Sequence, residues 1–237
     1  MMIKAAVDKI LELAPAQIVE VCGRKYSDRK ISPVLEPAPA PLTVSTLTGF
    51  VDYIKSNRDG LNYSEIIIVV ESFSRVYAVS KLTGDFKQRD IFIEARFVEV
   101  SKNLFGLYIP AEEFVVSLQS RFLPTEHSKA ILSIIGNVKE EAVKTTGDDG
   151  ITQTVTAKLG VSLAVNVKVP NPVTLKPYRT FFEIDQPESQ FIFRVKNGPE
   201  CAIFEADGGK WKIDATERIK TYLEKNLPQN KAVIVIA

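Results

Sequence analysis

Apolar and polar residues alternate along residues 151–169 (ITQTVTAKLGVSLAVNVKV), the longest pattern of this kind in the chain. The odd positions are apolar apart from Gln153, whereas most even positions carry threonine, lysine, serine or asparagine. A period of two is typical of a half-buried β-strand. Because the whole run would extend about 60 Å at the rise of a strand, we expect it to bend or bulge near Gly160. The pattern predicts a large antiparallel sheet with one face in water.

Shorter patterns place the other elements. Apolar residues at helical spacing predict helices at residues 2–13, 45–56, 110–122, 126–135 and 216–227, with Ser45 as a cap. Alternating or apolar runs predict strands at residues 17–22, 65–70, 76–79, 90–100, 138–146, 179–184, 190–196, 201–206, 211–213 and 232–236. The segment PNPVTLKP, from Pro170, is expected to be a loop or an edge. This order predicts an α+β fold, with a large, mainly antiparallel β-sheet and four or five flanking helices.

Changes in composition indicate where the chain divides. Residues 1–44 hold a helix, a short strand and a proline-rich connector, with prolines at 33, 37, 39 and 41. This connector is expected to be a linker or an arm that covers a sheet edge. Residues 45–136 form an α/β part, and residues 137–237 form a β-rich part that ends in a helix and a strand. The alternative is that no boundary exists at 137 and the two parts are one domain.

The charge and the cysteines limit the setting. The 30 basic and 29 acidic residues give a net charge of +1, so no overall field favours nucleic acid or an anionic membrane. Only two cysteines are present, far apart at Cys22 and Cys201. The N-terminus lacks the apolar core of a signal peptide, and the longest apolar run, residues 66–70, is far too short to span a membrane. We therefore expect a cytoplasmic protein with free thiols and no membrane partner.

Candidate catalytic groups are few. The only histidine, His127, has no nearby cysteine with which to bind a metal, and it is more typical of a surface or capping residue. Three acidic pairs have the composition of turns, although such pairs also suit a divalent ion: Asp148 with Asp149, Asp185 with Glu188, and Glu205 with Asp207. No glycine motif for a nucleotide phosphate is present. We expect no cofactor and no enzymatic activity, and a carboxylate-dependent metal hydrolase is the least favoured function.

One stretch is basic relative to the rest of the chain. Residues 151–182 contain no acidic residue, but they contain Lys158, Lys168, Lys176 and Arg179. On the even, solvent face of the predicted strand, Lys158 and Lys168 are accompanied by Thr154, Thr156 and Asn166, and Tyr178 precedes Arg179. These eight residues are the candidate binding site for an anion, a nucleotide or nucleic acid. The alternative is an ordinary solvated face whose lysines discourage aggregation.

The last segment, KAVIVIA, predicts a strand with almost no polar protection. Such a strand leaves an edge that must be paired or covered, and self-assembly would pair it. The alternative is an interior strand, which is also continuously apolar.

The order of elements and several phrases resemble phage proteins. PAEEFVVSLQSRF at residues 110–122, KTTGDDGITQTVTAKLGV, and the late run YRTFFEIDQPESQFIFRVKNGPECAIFEADGGKWKIDATERIKTYLEK carry this likeness, which covers about residues 40–230. They are similar to uncharacterised bacteriophage and prophage proteins of the Firmicutes type, a distant branch of a family also found in enterobacterial prophages. That family has no established catalytic residues, so the resemblance implies a phage context and no chemistry.

Together these features predict a non-catalytic phage accessory protein that binds an anionic ligand as a homo-oligomer. The ligand would be a nucleotide signal of host defence or nucleic acid. The alternative is a structural or interaction protein that assembles through its sheet edges and binds a host or phage protein.

Overall fold

The structure is a computed structural model, and it describes residues 2–27, 40–84, 87–98, 104–137, 145–148, 153–159, 163–168, 171–196, 200–228 and 233–237. Its helices are α1 (Met2–Leu13), α2 (Leu47–Ser56), α3 (Ala111–Arg121), α4 (Glu126–Asn137) and α5 (Lys210–Asn226). Its strands are β1 (Ile18–Val21), β2 (Arg24–Ser27), β3 (Leu42–Val44), β4 (Ile66–Ser72), β5 (Arg75–Ser80), β6 (Ile91–Arg96), β7 (Ile109–Pro110), β8 (Phe122–Leu123), β9 (Thr145–Asp148), β10 (Gln153–Leu159), β11 (Leu163–Lys168), β12 (Val173–Pro177), β13 (Ser189–Lys196), β14 (Glu200–Glu205) and β15 (Ile234–Ile236). The predicted α+β class is confirmed. The strands are divided among separate sheets, of which two have five strands each.

The chain divides into two compact units, Met1–Pro39 and Ala40–Ala237. In the first unit, α1 is followed by an antiparallel hairpin of β1 and β2. The hairpin turns at Cys22 and Gly23, which both have positive φ angles. The helix predicted at residues 2–13 is confirmed. Most of the proline-rich segment, residues 28–39, lies outside the described residues.

The first five-stranded sheet of the second unit has the order β15-β4-β5-β6-β3. Its central strands are antiparallel, whereas the two edge strands, β15 and β3, run parallel to their neighbours. One face packs on α2 and α5, and the buried residues between them include Phe50, Ile68, Ala78, Ile93 and Ile219. The same core contains Phe181 and Ile184, so residues on both sides of position 137 contribute to it.

Helix α2 shows how local sequence sets an element boundary. The cap is Thr46, whose hydroxyl accepts a hydrogen bond of 3.1 Å from the backbone N–H of Gly49. The prediction that Ser45 caps the helix is therefore wrong by one residue. The helix ends at Asn57, which adopts the left-handed conformation at φ 43°. Asparagine tolerates this region better than most other non-glycine residues, so it is well suited to end the helix there.

The second five-stranded sheet has the order β7-β14-β13-β12-β8, and all its pairings are antiparallel. Its core lies against α3 and α4 and includes Phe114, Leu118, Ile131, Phe191 and Phe193. Strand β12 lies inside this sheet, so the expectation of a loop or an edge for PNPVTLKP is wrong. The prolines of the segment fall outside the strand or at its last residue, which leaves the residues between them free to pair with β13.

The long alternating run is two strands, not one. β10 and β11 pair antiparallel from Thr154 opposite Lys168 to Leu159 opposite Leu163, so the two halves of the run lie side by side. Gly160, where a bend or bulge was expected, lies outside the described residues. β10 also pairs with β9. Residues 138–144, the larger part of the strand predicted at 138–146, lie outside the described residues. For this sheet the structure describes the backbone but not the side chains.

Two short strand predictions in the C-terminal part are wrong. Residues 179–184 are irregular because the amide of Gln186 holds their backbone, accepting from the N–H groups of Arg179 and Thr180 and donating to the carbonyl of Phe181. Residues 211–213 lie in the first turn of α5, which begins six residues before the predicted helix. Asp207 favours this start, since its carboxylate accepts a hydrogen bond from the N–H of Gly209.

Candidate functional site

Five of the eight predicted site residues lie on the β10–β11 hairpin. The register places Thr154 opposite Lys168 and Thr156 opposite Asn166, and Lys158 lies opposite Ala164. Residues that are directly opposite in an antiparallel pair are separated by about 5 Å between Cα atoms. The pairing of β10 with β11 therefore brings these five residues into one short ladder.

Lys176 and Tyr178 lie in and just after β12, in the second five-stranded sheet. The Lys176 amine lies 3.4 Å from the carboxylate of Glu188 and 3.7 Å from that of Asp185, and a quarter of its side chain is exposed. Its charge is already balanced by these two carboxylates. Tyr178 donates a backbone hydrogen bond to the carbonyl of Arg121, and its ring centroid lies 5.6 Å from that of Phe182.

Arg179 is fully buried and cannot reach a ligand in solvent. Its guanidinium donates to the Glu205 carboxylate at 2.5 Å and to the Ser189 hydroxyl. The guanidinium carbon also lies 3.9 Å from the ring centroid of Trp211. A buried charge is stable only when it is paired and hydrogen-bonded, and these contacts supply that pairing. Arg179 is therefore a structural residue that links β13, β14 and α5.

Asp207 extends the same polar network. Its carboxylate accepts hydrogen bonds from the Ser189 hydroxyl at 2.6 Å and from the N–H of Gly209 at 3.0 Å. Partial burial raises the pKa of Asp207, but these two hydrogen bonds and the Arg179 charge outweigh it and hold the pKa below its ordinary value. The carboxylate is therefore ionised at neutral pH and stabilises the first turn of α5.

The candidate catalytic side chains that the structure describes are hydrogen-bonded, ion-paired or buried. His127 accepts a hydrogen bond from the backbone N–H of Thr174 at its Nδ1 atom, which ties α4 to β12. Burial raises the pKa of the Cys201 thiol to about 12, so the thiolate is not formed at neutral pH. Asp185 and Glu205 are each paired with a basic side chain. Asp149 lies outside the described residues, as do the side-chain contacts of Asp148.

Neither a metal-binding cluster nor a membrane-spanning helix is found among the described residues. They contain no group of three or more histidine, cysteine and acidic side chains with the arrangement of a metal site. None of their helices has both the length and the apolar character that a bilayer crossing requires.

A feature that the sequence did not predict lies on the first five-stranded sheet. We call it the outer trough, a depression of about 400 Å³ lined by Ile67, Val69, Tyr77, Val79, Ile91 and Ile236, with Arg75 and Arg89 at its rim. The register pairs Ile67 with Val79 and Val69 with Tyr77, which places these residues on the face turned away from α2 and α5. An antiparallel sheet with one open face usually carries polar residues there.

The sequence contained a signal for this trough. The run IIIVV at residues 66–70 is apolar at every position, a pattern typical of a strand that is buried on both faces. In the structure, Ile66, Ile68 and Val70 are buried, whereas Ile67 and Val69 are only partly buried. The edge strand β15 continues the open face, with Ile234 and Ile236 exposed to 59% and 49%.

Comparison of the chain with protein-family models, with curated proteins and with solved structures finds no match.

Proposed function

We propose that the protein acts by binding and not by catalysis, and that its ligand is an anion, either a nucleotide signal of host defence or nucleic acid. The observation that carries this proposal is the register of the β10–β11 hairpin. It sets Thr154 opposite Lys168 and Thr156 opposite Asn166, within a stretch of sequence that has no acidic residue. Lysine, hydroxyl and amide groups in a short ladder are suited to phosphate oxygens.

The site is smaller than the sequence predicts. Arg179 is buried, and Lys176 is paired with Asp185 and Glu188, so neither strengthens an anion site at the hairpin. The proposed binding residues are therefore Lys158 and Lys168, with Thr154, Thr156 and Asn166 of the same ladder. The resemblance to phage proteins supports a setting in the bacterial host cytoplasm, and we propose that the protein works there as a homo-oligomer.

Native mass spectrometry of freshly purified protein tests this proposal. We expect an excess mass of nucleotide or oligonucleotide size, which the double variant Lys158→Glu/Lys168→Glu loses. The matched control is Lys55→Glu/Lys225→Glu, which changes the net charge equally at two exposed positions on α2 and α5. If wild type carries no anion, or if both double variants lose it equally, the hairpin is not the binding site.

A second candidate function is assembly through a sheet edge. The observation that favours it is the position of β15, which forms the edge of the first five-stranded sheet and exposes Ile234 and Ile236. An edge strand presents unpaired backbone groups to any strand that can pair with it. Among the strands that the structure describes, β15 has a neighbour on one side only, which favours an edge over an interior strand for Ile234–Ile236.

Sedimentation velocity tests this assembly. We expect Ile236→Lys to shift an oligomer to monomer, because a charge on a short edge strand opposes pairing. Ile213→Lys is the matched control, since Ile213 is equally apolar and 64% exposed but lies on α5. A monomeric wild type, or equal effects of the two variants, would contradict the edge-pairing function.

A further inference from the structure

The outer trough has the dimensions of a small-molecule site. Strands are spaced by about 4.8 Å and rise about 3.3 Å per residue, so the floor is about 15 Å wide across four strands and about 17 Å long from Arg75 to Ser80. Its volume, about 400 Å³, falls in the range of ligand pockets. The lining is apolar except for the tyrosine hydroxyl and the two arginines at the rim. These features favour an apolar ligand that lies along the floor.

The two arginines of the rim differ in whether a carboxylate balances their charge. Arg75 is paired with two carboxylates. It donates to both oxygens of Glu71 and, through Nε and one terminal nitrogen, to Glu94. Arg96 also contacts Glu94, so this end of the trough is balanced by carboxylates. Burial raises the pKa of Glu94, but the hydrogen bonds from Arg96 and Arg75 outweigh it and hold the pKa below its ordinary value. An anionic group gains little at this end.

Arg89 is the charged group that remains available. It is exposed, and one terminal nitrogen donates to the backbone carbonyl of Ser80 at 2.8 Å, which holds the guanidinium at the rim. Within the described part of the chain, no carboxylate forms an ion pair with it. A guanidinium with free donors matches the two oxygens of a carboxylate. The trough therefore combines an apolar floor with one unbalanced positive group at one end.

We propose that the outer trough binds a small apolar molecule with one carboxylate, its apolar chain lying on the sheet and its carboxylate on Arg89. This site is separate from the β10–β11 hairpin, and it takes a ligand whose contacts are mainly apolar. A second copy of the chain is a poorer occupant. Among the described apolar residues of this face, only Ile234 and Ile236 expose about half of their surface, which is too little area for a stable dimer interface of about 800 Å² per partner.

The experiment uses octanoate as the probe and octanol as its neutral counterpart. Titrations of the full chain are followed by calorimetry and by the amide NMR signals of Ile67, Val79 and Ile91. We expect saturable binding of both compounds, with octanoate the tighter. Arg89→Gln should weaken octanoate by about tenfold, because a charge-assisted hydrogen bond is lost, and leave octanol unchanged. Arg58→Gln, at an exposed arginine outside the trough, is the matched control and should change neither.

Further variants separate the other outcomes. Ile91→Ala should weaken octanoate and octanol alike, and a thermal melt of each variant shows that it is folded. Lys158→Glu/Lys168→Glu should bind octanoate as wild type does, so failure at the hairpin and failure at the trough are distinguishable. The proposal is overturned if octanoate shows no saturable binding, or if Arg89→Gln and Arg58→Gln behave alike. It is also overturned if the trough signals follow protein concentration instead of octanoate, because a second copy then occupies the face.

Discussion

Replacement of Arg179 tests whether the buried polar network holds the C-terminal part of the fold together. Arg179→Met keeps a long side chain in the same apolar surroundings and removes the guanidinium. The variant loses the hydrogen bonds to Glu205 and Ser189 and the contact with Trp211. It also leaves the Glu205 carboxylate without its partner.

The magnitude follows from the surroundings of the pair. Removal of one partner of a buried ion pair costs about 3–5 kcal/mol, because the other charge is left unpaired in a medium of low dielectric. The Glu205 side chain is 40% exposed, so water can solvate its carboxylate after the change. We therefore take the lower end and expect a loss of about 3 kcal/mol, which corresponds to about 6–12 °C in melting temperature for a unit of this size.

Urea unfolding followed by far-ultraviolet circular dichroism measures this loss without relying on Trp211, whose fluorescence responds directly to Arg179. Arg58→Met is the control, because an exposed arginine should change stability by less than about 0.5 kcal/mol. The double variant Arg179→Met/Glu205→Gln should recover part of the loss, since position 205 then carries no unpaired charge. If Arg179→Met is no more destabilised than Arg58→Met, the assignment of a structural role to Arg179 is wrong.

Three further predictions concern stability and reactivity. Thr46→Ala should destabilise the fold by about 1 kcal/mol in urea unfolding, whereas Ser45→Ala should have little effect, because Thr46 is the cap; equal losses would contradict the assigned cap. Asp207 has a lowered pKa, so its ionised form stabilises the fold above about pH 4 and this stabilisation is lost as pH falls through the folded pKa. Asp207→Asn should therefore flatten the acid side of the stability profile, and an unchanged slope would count against this role. With a thiol reagent, exposed Cys22 should react in the folded protein and Cys201 only after unfolding, and fast reaction of both would refute the buried thiol.

The helices and most strands could be predicted because each has its own apolar period and its own stop signals. The helix at residues 2–13 has the predicted bounds, and α3 begins at Ala111, one residue after the predicted start at Pro110. Residues 151–169 show the limit of this reasoning. A period of two is the same for one long strand and for two strands that fold back on each other, since both keep the odd residues on one face. Only the pairing of Leu159 with Leu163 distinguishes them.

The two strand predictions that failed near the C-terminus have a common physical cause. Residues 179–184 and 211–213 alternate over three to six positions, which is too short to separate a strand from a turn or the start of a helix. A side chain nearby in the sequence decides the outcome in both places. Gln186 holds the first segment in an irregular loop, and Asp207 starts α5 ahead of the second. The alternation of apolar and polar residues carries no trace of these hydrogen bonds.

The same argument explains why the candidate sites were only partly predictable. The alternating pattern assigns Lys158 and Lys168 to one face of a strand. Arg179 joined the predicted site only because it is basic and lies in the same stretch without acidic residues. The charge of an arginine says nothing about its burial, which depends on where Glu205, Ser189 and Trp211 lie in space.

The outer trough was missed for the opposite reason. Its residues are apolar, and an apolar run is read as core unless the neighbouring elements show that one face has no cover. Here α2 and α5 pack on one face of the sheet, whereas β15 adds exposed isoleucines to the other. An exposed apolar face persists in a folded protein only at a cost, so a ligand or a partner is its simplest explanation. The affinity of octanoate for wild type and for Arg89→Gln is therefore the measurement that separates a built binding site from an apolar surface of no function.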